Sequence, residues 1–328
     1  MTRVLIVGYG SIGKRHLKNF LQFKDIQLIV YTKRNDLQLL KKKGVKVSHS
    51  LTECLKENPD VGVIANETSL HIPIAIKLAK SGLDLFLEKP LSNSLKDVGK
   101  LHAIVKKKKL ITQMGCNLRF HPCIKKIKSL IEQEKIGKII SAQVQNCSYL
   151  PDFHPWEDYK KSYAARKDLG GGVILTQIHE IDYMYWLFQE VESVISMSGK
   201  FSDFDINVED YAACLLKFRN KIIGELHMDY FQRPDFRSCK IRGTKGEIYW
   251  DSDNNHVNIY SINKKRWKAE LKVKNYQRNF SYVEQLKHFI KCVKQRKETI
   301  NDLEQGIDTL KIALAIKKSS KTMKSVTV

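Results

Sequence analysis

The chain has 328 residues, 42% hydrophobic and 28% charged, with a formal net charge of +22; this profile fits a packed protein of about two domains and excludes disordered and fibrous classes. Its longest apolar runs, such as Val4–Val7 and Val61–Ala65, are strand-length, far below the ~20 residues that span a bilayer, so no membrane partner is expected. Seven cysteines without a CxxC pair argue against a disulfide framework and a zinc site; no metal is expected, and with no signal-peptide pattern at the start the expected compartment is the cytoplasm.

Strand runs at 3–7, 27–31, 45–47, 61–65, 83–87 and 110–114 alternate with helical patterns near 11–22, 36–43, 70–80 and 94–107. Six short strands separated by helices predict a doubly wound parallel sheet, a Rossmann domain over residues 1–120. Then the rhythm changes: a helix near 122–134, a strand near 138–148, an irregular aromatic and polar stretch over 149–169, and one long helix over 172–188. Strands at 191–198, 211–219, 221–229, 236–243, 247–250 and 256–262 follow with only turns between them, and helices near 281–295 and 302–319 close the chain. Consecutive strands without crossover helices predict an α+β domain with a largely antiparallel open sheet over residues 121–328.

The positive charge is spread along the whole chain, and runs such as Lys41–Lys43 and Lys106–Lys109 fall near predicted helix ends, where cations face the negative end of the macrodipole. That pattern reads as a solvated lysine-rich surface or a basic rim that attracts an anionic substrate, and no nucleic-acid partner is expected.

The first strand runs into Gly8-Tyr9-Gly10-Ser11-Ile12-Gly13 and then a helix, the setting in which GxGxxG binds a dinucleotide. Gly8 allows the tight turn, Gly10 the approach of the pyrophosphate and Gly13 close helix-to-strand packing, while Ser11 and Ile12 open the helix whose N–H groups face the phosphates. NAD-preferring sites carry Asp or Glu at the end of the second strand to grip the ribose. Here that place reads Tyr31-Thr32-Lys33-Arg34, a hydroxyl and two cations suited to a 2′-phosphate, so NADP(H) is favoured as cofactor, with NAD(H) the alternative.

The strand at 83–87 ends in Glu88-Lys89-Pro90, which places a lysine at the carboxyl edge of the sheet, with the proline keeping Lys89 out of helical geometry. Together, the glycine motif, Asn66-Glu67-Thr68-Ser69-Leu70-His71, Glu88-Lys89-Pro90, and Gly170-Gly171-Gly172 followed by His179 and Asp182 resemble the Gfo/Idh/MocA oxidoreductase family over nearly the whole chain. The resemblance implies cofactor contacts from Asn66, Thr68, His71, Glu88 and Lys89, substrate contact from Lys89, and proton transfer by His179. It also implies a homodimer or homotetramer built on the open face of the second sheet.

One departure is that many members carry an aspartate four residues before the histidine, where this chain has Leu175 followed by Thr176. On a helical wheel Ile174, Ile178, Ile181, Tyr185 and Phe188 form one face, with His179 off it beside Thr176 and Tyr183. Asp182 lies near the core edge, an orienting or structural carboxylate rather than a proton acceptor.

The stretch from His154 to Lys167 looks like the substrate loop of relatives found with surface-sugar biosynthesis, with Tyr163 and Arg166 as substrate-binding candidates beside Thr176 and Asp182. Arg166 suits a carboxylate or phosphate; Trp156, Tyr159 and Tyr163 suit stacking on a sugar or packing between domains. Asn117 and Arg119, after the last Rossmann strand, match a family segment at the domain junction that contacts substrate or cofactor.

The resulting expectation is hydride transfer between a nicotinamide and a hydroxyl or keto carbon of a sugar or nucleotide-sugar. His179 exchanges the proton and Lys89 polarises the oxygen, or the two roles are swapped. The alternative is a dinucleotide-sensing regulator on the same scaffold, which the presence of both Lys89 and His179 disfavours.

Overall fold

The computed structural model describes residues 1–35, 40 and 44–328, so all of the helix expected over 36–43 except Leu40, and the run Lys41–Lys43, lie outside the described residues. The chain forms two compact units, Met1–Cys116 with Tyr282–Leu310 and Asn117–Ser281 with Lys311–Val328.

In the first unit β1 (Thr2–Val7), β2 (Ile26–Tyr31), β3 (Lys46–Ser48), β4 (Val61–Ile64), β5 (Asp84–Leu87) and β6 (Thr112–Met114) form one sheet in the order β3-β2-β1-β4-β5-β6. Every pairing is parallel. A parallel sheet needs cover on both faces, which is why its central strands β1, β4 and β5 carry apolar runs; Val4 to Val7 are at most 1% exposed. Part of that cover comes from far along the chain. Leu286, Phe289 and Ile290 of the helix Asn279–Gln295 join Val4, Ile6, Val30 and Phe86 in one core, with the Phe86 and Phe289 rings edge to face at 5.7 Å.

Polar contacts fasten this returning segment. Met114 N donates to Asn301 O at 2.7 Å, Thr299 Oγ1 donates to Thr112 O at 2.6 Å, and Arg296 pairs with Asp84 at 2.5 Å. The strand order reverses between β1 and β4, the switch point at whose carboxyl edge doubly wound sheets bind ligands.

The second unit is built on a nine-stranded mixed sheet. Its strands are β7 (Ile139–Cys147), β8 (Val191–Gly199), β9 (Tyr211–Phe218), β10 (Ile223–Asp229), β11 (Phe236–Gly243), β12 (Gly246–Asp251), β13 (His256–Ser261), β14 (Arg266–Lys272) and β15 (Val326–Thr327). Their order is β14-β13-β12-β11-β7-β10-β9-β8-β15. Only β7 and β10 pair in parallel; the other pairings are antiparallel. Edge strands β14 and β15 add to the expected set.

The single helix expected over 172–188 is interrupted into Val173–Thr176 and His179–Phe188. At the break the Gln177 side chain donates to Ser148 Oγ and Asp229 O at 3.1 and 2.9 Å, and Glu180 N makes a tighter i to i−3 bond to Gln177 O. Among the described residues no helix is long and apolar enough to cross a membrane.

Candidate active site

The glycine turn has the geometry its spacing predicts. Gly8 has φ +102°, and a Cβ there would press on the Ala65–Asn66 backbone. A Cβ at Gly13 would collide with the Gly8 carbonyl, which is the close helix-to-strand approach. Gly10 differs, because a Cβ there meets no protein atom within 4 Å. Gly10 caps the helix Ser11–Phe20 without a side-chain bond, and the first turn holds no acid. This leaves an open cradle of N–H groups at a positive helix end, which fits a pyrophosphate.

At the end of β2, Thr32 is buried and its Oγ1 accepts from Arg34 N at 3.2 Å, while Lys33 and Arg34 are exposed. No carboxylate occurs from Tyr31 to Asn35.

A chain of polar contacts fixes the carboxyl end of β5. Glu88 is 4% exposed; its Oε1 lies 2.6 Å from His16 Nε2 and its Oε2 accepts from Lys89 N at 3.1 Å. Gly115 leaves room for this carboxylate, since a Cβ there would press on Glu88 Cδ and Oε2. After the cis Lys89–Pro90 bond, Pro90 O lies 2.9 Å from His71 Nδ1, and His71 Nε2 lies 3.0 Å from Asn66 O. Burial pulls the His71 pKa below its ordinary value while the two carbonyl contacts pull the other way, and the ring joins the loops after β4 and β5.

His71 and Glu88, expected as cofactor contacts, thus hold backbone in place. Asn66 and Lys89 are half-buried and Thr68 is buried. His16 escaped the sequence reading, although Gly13, His16, Leu17 and Phe20 mark the inward face of the first helix.

In the second unit the glycine triplet is a docking strip for the segment at 163–166. Gly171 N donates to Arg166 O at 2.9 Å and Gly172 N to Ala164 O at 3.0 Å. A Cβ at Gly171 would strike Tyr163 O, and one at Gly172, whose φ is +104°, would strike the Glu209 carboxylate. Tyr163 is half-buried and Trp156 is 73% exposed. Arg166 is exposed and forked onto Asp168, Nε to Oδ1 at 3.1 Å and Nη2 to Oδ2 at 2.5 Å.

His179 begins the second helical piece and is the one residue from Gly170 to Met184 that is not fully buried. The wheel put an open side beside Thr176 and Tyr183; both are buried, at 5% and 0%. The opening at His179 is therefore local and not the edge of an exposed face.

The flanking acids are committed to internal partners. Glu180 accepts from Asn146 Nδ2 at 3.1 Å and pairs with Arg237 Nε at 2.6 Å; even so, burial raises its pKa. Asp182 holds Arg119 in a fork, Nε to Oδ2 at 2.9 Å and Nη2 to Oδ1 at 2.8 Å, with side chains 1% and 0% exposed. Arg119 and Asp182 thus meet each other in the interior, and Asn117 is 4% exposed. Gln177 and the Arg237–Glu180 pair also escaped the sequence reading, because their partners are remote in sequence.

Comparison with known proteins decides the family. The profile described as "Oxidoreductase family, NAD-binding Rossmann fold" matches residues 2–116, and "Oxidoreductase family, C-terminal alpha/beta domain" matches residues 128–328. The chain belongs to the Gfo/Idh/MocA oxidoreductase family.

Among its Gfo/Idh/MocA relatives, a myo-inositol 2-dehydrogenase of Thermotoga maritima is 28% identical, with 99% of this chain and 98% of the relative covered. A scyllo-inositol 2-dehydrogenase (NAD(+)) of Bacillus subtilis is 27% identical, with 97% and 93% covered. A levoglucosan dehydrogenase solved in complex with NADH superposes with a TM-score of 0.89 at 18% identity, covering 100% of this chain and 99% of that one; at that identity the likeness speaks for the fold.

Proposed function

We propose that the protein is an NAD(P)-dependent dehydrogenase or reductase acting on a hydroxyl or keto carbon of a sugar, polyol or nucleotide-sugar, with NADP(H) favoured and surface-glycan biosynthesis as a setting. The observation that carries this reading is the fixation of Lys89, with Glu88, His16 and His71 holding the backbone on either side of it. A bound nicotinamide cofactor supplies the acceptor or donor of a hydride at the substrate carbon.

Gly8, Gly10, Ser11, Ile12 and Gly13 cradle the pyrophosphate, and Thr32, Lys33 and Arg34 receive the 2′-phosphate. Lys89 polarises the reacting oxygen through its positive charge, and His179 exchanges the hydroxyl proton, a task that histidine meets near neutral pH. The second unit takes the substrate, with Tyr163, Arg166 and Thr176 as candidate contacts. Inositol dehydrogenases among the relatives support a polyhydroxylated substrate.

The open face of the second sheet carries Ile195 and Met197 of β8, Leu215 of β9 and Ile223 of β10, exposed by 48%, 60%, 48% and 41%. Ile195 and Leu215 are register partners. A patch of this kind fits burial against a second copy.

Calorimetric titration of nucleotide-free protein with NADPH, NADP, NADH and NAD tests the cofactor reading. Tight binding confined to the phosphorylated pair is expected. Tighter binding of NADH would remove the 2′-phosphate assignment, and binding of none would remove the dehydrogenase reading.

A further inference from the structure

Cys147, His227 and Asp229 form a compact group in the second unit, at the carboxyl ends of β7 and β10. Asp229 and Cys147 are register partners on these parallel strands, and His227, two residues before Asp229, shares its face because side chains alternate with period two. One ligand atom from each lies within 4.8 Å of the other two, and His227 Nε2 is 3.1 Å from Asp229 Oδ2.

Thiolate sulfur, imidazole nitrogen and carboxylate oxygen are the donors that borderline-soft divalent cations select. The group is also oriented from outside. Asp229 Oδ1 accepts from Phe231 N at 3.1 Å and Gln232 N at 2.9 Å, which turns Oδ2 toward the group. The Tyr211 ring stands edge-on to His227 at 5.1 Å. Such outer contacts fix ligand direction in metal sites.

Cys147 and Asp229 are 1% and 2% exposed, while the His227 side chain is 38% exposed. In a single copy of the chain the interior ligands are therefore reached from the His227 side, on the sheet face that also carries Ile223.

We propose that Cys147, His227 and Asp229 form a zinc-type site with three protein ligands and a water on the His227 side. Bonds of about 2.0–2.3 Å place tetrahedral ligand atoms roughly 3–4 Å apart; His227 Nε2 and Asp229 Oδ2 already stand at 3.1 Å, and the Cys147 sulfur lies within 4.8 Å of a ligand atom of each. The sequence hides the site because Cys147 stands far from His227-x-Asp229, and the absence of CxxC bears only on local spacing. Binding converts the thiol to thiolate and releases its proton. It also ties together the strand ends whose Ser148 Oγ and Asp229 O hold Gln177, so the loaded protein melts at higher temperature. This inference does not depend on the dehydrogenase reading.

The test is titration of the chelator-treated, full-length protein with Co²⁺ alone. One ion per chain is expected, with a thiolate-to-cobalt charge-transfer band and tetrahedral d–d bands, displaced by Zn²⁺. The band should vanish in Cys147→Ser and His227→Asn and persist in Cys214→Ser, a buried cysteine on β9 outside the group. Absence of the band in the wild type, or its survival in Cys147→Ser, overturns the proposal. Should the variants not fold, Zn²⁺ binding to the wild type in buffers of different ionisation enthalpy decides: release of a proton on binding supports the site, and no release overturns it.

Discussion

In the first unit the carboxylate beside Lys89 faces a histidine and a backbone N–H, whereas in the second the two carboxylates nearest His179 each face an arginine. The two arrangements hold a proposed reactive side chain by different physics. Glu88 sets direction through short hydrogen bonds on the rim of a sheet whose stability comes from its doubly covered apolar core. Asp182 and Glu180 are interior charges that each need a partner, because a buried charge left alone is far costlier than the pair is favourable. Substitutions beside Lys89 should therefore register in turnover, and substitutions beside His179 in folding.

The largest effect on turnover should come from the two held residues themselves, beginning with Lys89→Ala. Turnover should fall by about 10²–10⁴-fold, the range for loss of a group acting on the reacting oxygen or its proton, while the melting temperature stays within error of wild type. Steady-state kinetics beside a thermal melt check both halves. His179→Asn should fall in the same range with the same melt, and a variant of either residue that keeps wild-type turnover removes its catalytic assignment.

Next in size is Arg119→Met, which leaves Asp182 charged and unpaired and should cost roughly 3–5 kcal/mol in urea unfolding. Adding Asp182→Leu should recover most of the loss, since a well-packed apolar pair tolerates burial where one charge does not. A double-mutant cycle that finds additive losses would contradict the view of Arg119 and Asp182 as one interior fork.

A buried histidine of the second unit sharpens the contrast. His16 faces Glu88, whereas His121 packs against the Trp250 and Tyr276 rings, and its Nδ1 accepts from Cys123 N at 3.1 Å. Burial first, and then the charge of Arg237, pull its pKa down to about 4. A histidine held neutral contributes stability that is fully present above its unfolded value of about 6.5 and is lost as pH falls toward the folded value. His121 alone should weaken the fold by about 3 kcal/mol between those limits. Urea unfolding at pH 7 and at pH 4.5 should show this slope, and His121→Asn, which retains a side chain able to cap the following helix, should flatten it.

How much of this was legible in the sequence follows the same division. The central Rossmann strands were readable because a sheet covered on both faces is written there as apolar runs such as Val4–Val7, and the glycine turn because its steric demands admit no other residue at Gly8 or Gly13. The edge strand β14 was not, since Arg266, Lys268, Glu270 and Lys272 give it the charged composition that protects an exposed edge. The break at Gln177 was invisible because Ile174, Ile178 and Ile181 keep helical spacing across it, and its hydrogen-bond partners, Ser148 and Asp229, come from other strands. For the same reason the sequence showed Arg119 and Asp182 as separate substrate candidates. Their spacing of 63 residues carries no trace of the fork.

Arg166 should give the smallest effect on folding and the most direct reading of substrate charge. Unlike Arg119, it is exposed, and its partner Asp168 is exposed with it. The fork lowers the Asp168 pKa and raises that of Arg166, but a solvated pair contributes little to stability because water and salt compete for both charges. Asp168→Asn should therefore leave the melting temperature unchanged while releasing the guanidinium fork, which matches carboxylate and phosphate oxygens. If the substrate is anionic, this variant should lower KM, Arg166→Ala should raise it, and both changes should shrink as salt is added, with kcat little altered. A KM that ignores both substitutions and salt would assign Arg166 to the shape of the 163–166 segment, whose backbone carbonyls at Ala164 and Arg166 already bind the glycine strip.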